Sequence, residues 1–197
     1  PKRLADIAQK IVRTSNRISR IVKSLRQFSR DGSQDPFLVI PVNQIVRDSL
    51  DLCFEKMRNH GVEIRFEDCA TNPTIDCRSV QISQVVINLI NNSFDAVKEE
   101  SDKWIHIDVT DQEHQVVVMV TDSGKGMPVE VAQQVLQPFF TTKPSGEGTG
   151  LGLSICKSIV DSHNGQFYFD EKSPHTRFVL ALPKKQKHSI KGGKHES

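Results

Sequence analysis

The sequence predicts an α+β fold, a mixed β-sheet covered by helices on one face and preceded by one long helix. Three observations carry that prediction. Between Leu4 and Phe28 apolar residues return at intervals of seven, the mark of a helix that packs on other helices. From Phe37 onward, short β-branched runs alternate with amphipathic helical ones. A stretch with neither period, Pro138 to Gly150, ends in closely spaced glycines.

The first element is built from Leu4, Ile11, Ile18 and Leu25, with Ile7, Thr14, Ile21 and Phe28 three positions later in each heptad. Arg13, Arg17, Arg20, Lys23 and Arg26 lie mostly off that seam and read as a solvated helix face. Asp31-Gly32-Ser33 stops the helix, and Gln34-Asp35-Pro36 completes a break that sets residues 1–33 apart. A strand is expected over Phe37 to Ile40. An amphipathic helix follows over Asn43 to Arg58, burying Ile45, Val46, Leu50, Cys53, Phe54 and Met57 and ending near Gly61. Val62 to Phe66 and Thr74 to Cys77 read as strands. Val80 to Val97 reads as a helix with Ile82, Val85, Val86, Leu89, Ile90 and Phe94 on its inner side. Ile105 to Val109 and Val116 to Thr121 form a hairpin, a helix follows Pro128, Leu151 to Ser162 is a helix, and strands near Gln166 to Phe169 and Arg177 to Leu182 close a domain of residues 37–183. From Lys184 the chain is basic and poor in apolar residues, which predicts a solvated tail over residues 184–197.

Composition narrows the partners. The 197 residues carry 26 basic and 24 acidic side chains spread along the chain, so charge gives no reason to expect nucleic acid or a membrane surface. Cys53, Cys69, Cys77 and Cys156 make no CxxC pair, which fits a reduced, cytoplasmic setting. No apolar run approaches the roughly 20 residues needed to span a bilayer, so a soluble piece is expected even if a longer parent is membrane-anchored. The chain opens at Pro1 on helical periodicity with no initiator methionine, which suggests a fragment of something larger.

Three segments carry chemistry. Gln84, Asn88 and Asn92 recur every four residues and so share one helix face. Asparagine is a modest helix former, and a neutral amide oxygen is a hard ligand suited to Mg²⁺; polar residues satisfied by neighbouring backbone are the commoner explanation of such a stripe taken alone. Asp122-Ser123-Gly124-Lys125-Gly126-Met127 follows a strand. A buried carboxylate there can accept from an exocyclic amine while glycines admit a flat ring, as in adenine binding, although a tight turn accounts for D-x-G-x-G equally well. Gly146-Glu147-Gly148-Thr149-Gly150-Leu151-Gly152-Leu153 runs into a helix, so successive backbone N–H groups and a positive dipole end make a phosphate site. Neither a Walker A loop nor a Rossmann loop fits its glycine phase. Between the last two lies Pro138-Phe139-Phe140-Thr141-Thr142-Lys143, a lid whose aromatics should fold down on something and whose lysine can reach phosphate.

Taken together, NLINNSFDAV from Asn88, DSGKGM from Asp122, PFFTTK from Pro138 and GEGTGLGLSI from Gly146 resemble the N, first glycine, F and second glycine boxes of sensor histidine kinases, in order. The resemblance covers Phe37 to about Pro183; ISRIVKSLRQFSR from Ile18 is similar to the second helix of the dimerisation and phosphotransfer hairpin. It implies a Bergerat-type ATP-binding two-layer sandwich of the GHKL superfamily that uses ATP and Mg²⁺. By the same resemblance Asn92 is the metal ligand, with Asn88 assisting; Asp122 holds the adenine amine beside Gly124, Gly126 and Met127. Phe140, Lys143 and the backbone of Gly148, Gly150, Leu151 and Gly152 complete the ATP site. The implied partners are a phosphoacceptor histidine helix, a response regulator receiver domain, and a second copy in the parent protein. A histidine followed by an acidic residue on a coiled helix, the family's phosphoacceptor, does not occur here; bland roles are expected for His60, His106, His114, His163, His175, His188 and His195. The superfamily also contains water-using ATPases such as DNA gyrase, MutL and heat-shock chaperones, where a glutamate activates water four residues before the metal asparagine. Here that position is Asn88, which cannot act as a base near neutral pH, so transfer to a side chain is favoured over hydrolysis. Serine kinases of the superfamily lack the N-terminal heptad helix.

Overall fold

The computed structural model describes residues 7, 12, 14, 15, 35–144 and 148–186. The four isolated positions, Ile7, Val12, Thr14 and Ser15, are helical, and Ile7 and Val12 are exposed. The rest of the predicted N-terminal helix, Gly146 and Glu147 of the glycine segment, and the tail beyond Gln186 lie outside the described residues.

Strand β1 (Leu38–Pro41) leads into helix α1 (Val42–Asn59), strands β2 (Glu63–Phe66) and β3 (Thr74–Cys77), and helix α2 (Ser79–Val97). The hairpin β4 (Trp104–Asp111) and β5 (Gln115–Asp122) follows, then the single turn α3 (Val129–Ala132), helix α4 (Gly152–Ser162), and strands β6 (Gln166–Phe169) and β7 (Thr176–Pro183). The main sheet has the order β2-β4-β5-β7-β6, with β2 parallel to β4 and every other pair antiparallel; β1 and β3 form a small antiparallel pair. This is the expected mixed sheet under a helical layer.

The period of two sorts the sheet into faces. Ile105 and Ile107 on β4, Val116, Val118 and Val120 on β5, Phe167 on β6, and Phe178, Leu180 and Leu182 on β7 all enter the main core. The alternate residues Val117, Met119, Val179 and Ala181 form a small second cluster on the other side. Helix α2 lies over β5 between α1 and α4, and buries Ile82, Val85, Val86, Leu89, Ile90, Phe94 and Val97. Burying each of these side chains contributes about 1.5–3 kcal/mol, against roughly 0.7 kcal/mol of lost helix propensity for each asparagine, so packing decides that the Asn-bearing segment is helical.

Three expectations change. Phe54 is not on the buried face of α1: it is 54% exposed, under the Arg58 guanidinium, because Val42, Ile45, Val46, Ser49, Cys53 and Met57 already complete a continuous inner stripe. The helix after Pro128 is one turn only, with no buried residue to hold a second. The basic tail is not solvated from its first residue, Lys184. Its backbone N–H donates to His114 O and its ammonium pairs with Asp111 at 2.6 Å, while the Gln186 amide donates to the carbonyls of Asp76 and His163. Among the described residues no helix is long and apolar enough to cross a membrane.

Candidate functional site

The last two turns of α2 are where the four motifs meet. Asn88, Asn92 and Asp95 follow one another at helical spacing along the same side, and Ser93 points into the sheet layer. Each reaches a different segment.

Asp122 is the last residue of β5. The pleat puts it on the same face as Val116, Val118 and Val120, so the carboxylate lies under the helices and is only 1% exposed. Burial pushes its carboxyl up from the ordinary value; hydrogen bonds from the Ser93 hydroxyl, the Gly124 N–H and the Thr176 hydroxyl oppose this. The Gly124 N–H donates to Oδ1 at 2.9 Å. A Cβ on Gly124 would stand 2.7 Å from that oxygen and 2.9 Å from Thr176 Oγ1, so glycine is required there by the carboxylate itself. Gly126 has φ +80° and open space around it, so backbone conformation alone selects glycine. The tight turn expected of this motif is present, and it keeps a buried acid in place. Met127 is partly buried against the core.

Asn88 lies beside the fully buried Cys156 thiol of α4, whose pKa burial pushes up to about 12. Asn91 is turned away, accepting from Lys56 of α1 at 2.8 Å and donating to Ile87 O. The Asn92 amide, half-buried, faces the start of α4: its Nδ2 is 3.9 Å from where a Cβ of Gly152 would stand. It has no hydrogen-bond partner among the described residues. Helix α4 begins after Leu151, 7% exposed, and among the described residues no side chain caps its first N–H groups. An amide oxygen next to a bare helix N-terminus fits a divalent cation and the phosphates it accompanies.

The intervening loop is closed at its neck. Phe139 N–H donates to Gly150 O at 2.9 Å; both residues have φ +67°, and a Cβ on Gly150 would come within 2.6 Å of Phe139 O. Phe140 is half-buried, but Phe139 is 66% exposed rather than folded down, because the neck geometry turns its side chain outward. Lys143 reaches back across the loop and donates to Asp95 Oδ2 of α2 at 2.5 Å. Its stem runs under Gly148, where a Cβ would meet Lys143 Cβ at 3.3 Å.

So Asn88, Asn92, Asp122, Lys143 and Gly152 all contact or face α2 or its immediate neighbours, whereas Met127 and Phe140 stay at the margins. Ser93, Asp95 and Thr176 carry no sequence signal of their own; the DxG motif, once placed at a strand end, calls for donors such as Ser93 and Thr176, but only the fold says which. His163 has a bland, structural role, as expected, but a fully buried one: it accepts from Arg78 N–H at 3.1 Å, its other ring nitrogen meets Ile159 O, and it packs on Phe37. It joins the start of α2 to the end of α4.

Residues 77–186 match the family described as histidine kinase-, DNA gyrase B- and HSP90-like ATPase. Among solved structures, a nucleotide-free form of the catalytic domain of histidine kinase ThkA is 33% identical with a TM-score of 0.68, over 76% of this chain and 98% of that one. Histidine kinase ThkA in complex with response regulator protein TrrA is 28% identical, TM-score 0.67, over 93% of this chain and 52% of that one. Sensor histidine kinase ZraS of Escherichia coli (strain K12) is 28% identical over 90% of this chain and 37% of its own length. The chain spans between 19% and 38% of such curated relatives. The Asp122 turn, the asparagine helix and the glycine loop thus sit within a matched domain, and the chain belongs to the histidine kinase-, DNA gyrase B- and HSP90-like ATPase family, among its histidine kinase catalytic domains.

Proposed function

We propose that this chain is the ATP-binding catalytic part of a sensor histidine kinase, which transfers the ATP γ-phosphoryl group to a histidine of a phosphoacceptor helix for relay to a response regulator receiver domain. The observation that carries this is the buried Asp122 carboxylate held by Ser93, Gly124 and Thr176, next to the helix that bears Asn88 and Asn92. In this reading Asp122 accepts from the adenine amine, with Gly124, Gly126, Met127 and Phe140 around the nucleotide. Lys143 and the backbone of Gly148, Gly150, Leu151 and Gly152 take the phosphates. Asn92, helped by Asn88, holds Mg²⁺, which neutralises phosphate charge when bound.

The protein's part in transfer is placement and charge neutralisation: the bond from the γ-phosphorus to the β-phosphate bridge breaks, and a bond to an imidazole nitrogen forms. Asn88 at the position of a water-activating glutamate supports transfer over hydrolysis. We assign residues 1–33 to the second helix of a dimerisation hairpin, residues 37–183 to the catalytic domain and residues 184–197 to a basic tail. A two-copy parent is supported by the heptad series, whose described positions Ile7 and Thr14 are exposed. The receiver partner is supported by the likeness to ThkA, solved with its regulator.

The test is to incubate this chain with Mg²⁺ and ATP labelled on its γ-phosphate, with and without the histidine-bearing hairpin of its parent protein. Acid-labile label on the hairpin, little on this chain and slow phosphate release are expected. Acid-stable label would indicate a serine or threonine acceptor, and brisk hydrolysis with no phosphoprotein would assign the chain to the ATPases.

A further inference from the structure

Lys143 is the one lid cation whose partner is visible, and that partner is on the opposite wall. Asp95 stands three residues beyond Asn92, hence on the same side of α2 and one turn further on. Its Oδ2 accepts from Lys143 at 2.5 Å, while its Oδ1 is 3.9 Å from Lys98. Gly148 lies against this part of the loop: a Cβ there would clash with Thr141 Oγ1 and stand 3.3 Å from Lys143 Cβ and 3.4 Å from its Cδ. With the neck fastened between Phe139 and Gly150, the loop is anchored at its base by a hydrogen bond and at its far side by an ion pair.

We propose that Asp95 is a latch for the lid: it holds Lys143 on α2 in the nucleotide-free protein, and the nucleotide phosphates displace it, so that phosphate and Asp95 compete for one ammonium. This rests on the reading of Lys143 as a phosphate ligand. A carboxylate cannot itself hold phosphate; what Asp95 holds in this structure is the Lys143 ammonium. Both partners are about one third exposed, at 34% and 33%, so the pair is weak enough for a triphosphate with its metal to replace. Asp95 is in this account a positioning residue that acts through Lys143.

A double-mutant cycle with a lid readout tests it. Asp95→Asn should tighten binding of a non-hydrolysable Mg-ATP analogue roughly two- to fivefold, and should make the nucleotide-free lid more readily cut by protease, with Asp95→Glu restoring both. In a Lys143→Met background the same Asp95→Asn change should leave affinity and cutting unaltered. If Asp95→Asn instead tightens binding equally with and without Lys143, Asp95 acts by its own charge and the latch is overturned. Unchanged cutting of the nucleotide-free lid in Asp95→Asn overturns it also. Failure of the unmutated protein to take up the analogue would overturn the nucleotide reading itself, a result distinct from either.

Discussion

Asp122 and Lys143 both face α2, yet they are held in opposite ways. Asp122 sits at the end of a central strand, sealed from water, with three donors converging on it and a glycine whose absence of Cβ makes room. Lys143 hangs on a loop fastened, among the described residues, by a neck hydrogen bond and an ion pair about one third exposed. The first arrangement is over-determined, which suits the adenine recognition proposed for Asp122. The second is replaceable contact by contact, which suits the proposed admission and release of phosphate. In the proposed reading, recognition is built into the sheet and adjustability is left to the loop.

The sharpest way to break this contrast is at Asp122. Asp122→Asn should weaken adenine nucleotide binding by about 1.5–3 kcal/mol, some ten- to hundredfold, because the charged acceptor is lost. It should not unfold the protein. Burial raises the Asp122 pKa above its ordinary 3.8, so ionising it disfavours the folded state: its cost is absent below the unfolded value and grows as pH rises through the folded one. The variant should therefore melt at or above the parent temperature at pH 7, with the gain fading below about pH 4. A large loss of thermal stability would mean the carboxylate is structural.

On the loop side, Gly150→Ala should cost about 1–2 kcal/mol locally, since a Cβ at φ +67° meets the Phe139 carbonyl. The expected readout is faster proteolysis between residues 138 and 150, with weaker protection by a non-hydrolysable ATP analogue and an almost unchanged melting temperature. Equal loss of melting temperature and lid protection would place the loop among the stabilising elements.

The smallest effect is expected at His163, which joins the start of α2 to the end of α4. Burial lowers the His163 pKa from 6.5, and its ring sits near Arg78 and Asp76 as well as Phe37. A base with a depressed folded pKa leaves stability constant above about pH 6.5 and erodes it as pH falls, because the unfolded chain then takes up the proton first. His163→Gln should flatten the fall in melting temperature between pH 7 and pH 5. An unchanged slope would assign that loss to other groups.

Much of this was legible in the sequence, for a definite reason: every element of the catalytic part has a clear period of its own. The alternation Val116, Val118, Val120 even places Asp122 on the covered face, and the four-residue repeat puts Asn88 and Asn92 on one side of α2. What stayed hidden was contact across elements. Phe54 has helical spacing appropriate to a core residue, but the angular width of the stripe was decided by the neighbours of α1. Asp95 looked like any surface acid until the loop delivered Lys143, 48 residues away, onto it. His163 gives no local sign that it accepts from a backbone N–H 85 residues away. The anchoring of Lys184 and Gln186 depends likewise on Asp111 and Asp76, which no composition rule connects with a basic tail.

The account stands most directly on base recognition. In the proposed reading adenine offers its exocyclic amine to Asp122, whereas guanine would turn a carbonyl oxygen towards a buried carboxylate and leave both acceptors unpaired. Calorimetric titration of the protein with non-hydrolysable analogues of ATP and GTP, each with Mg²⁺, measures that difference. Binding of the ATP analogue at least about tenfold tighter, with the gap narrowing in Asp122→Asn, is the predicted result. Equal affinity for the two, or a gap that Asp122→Asn leaves untouched, would contradict it.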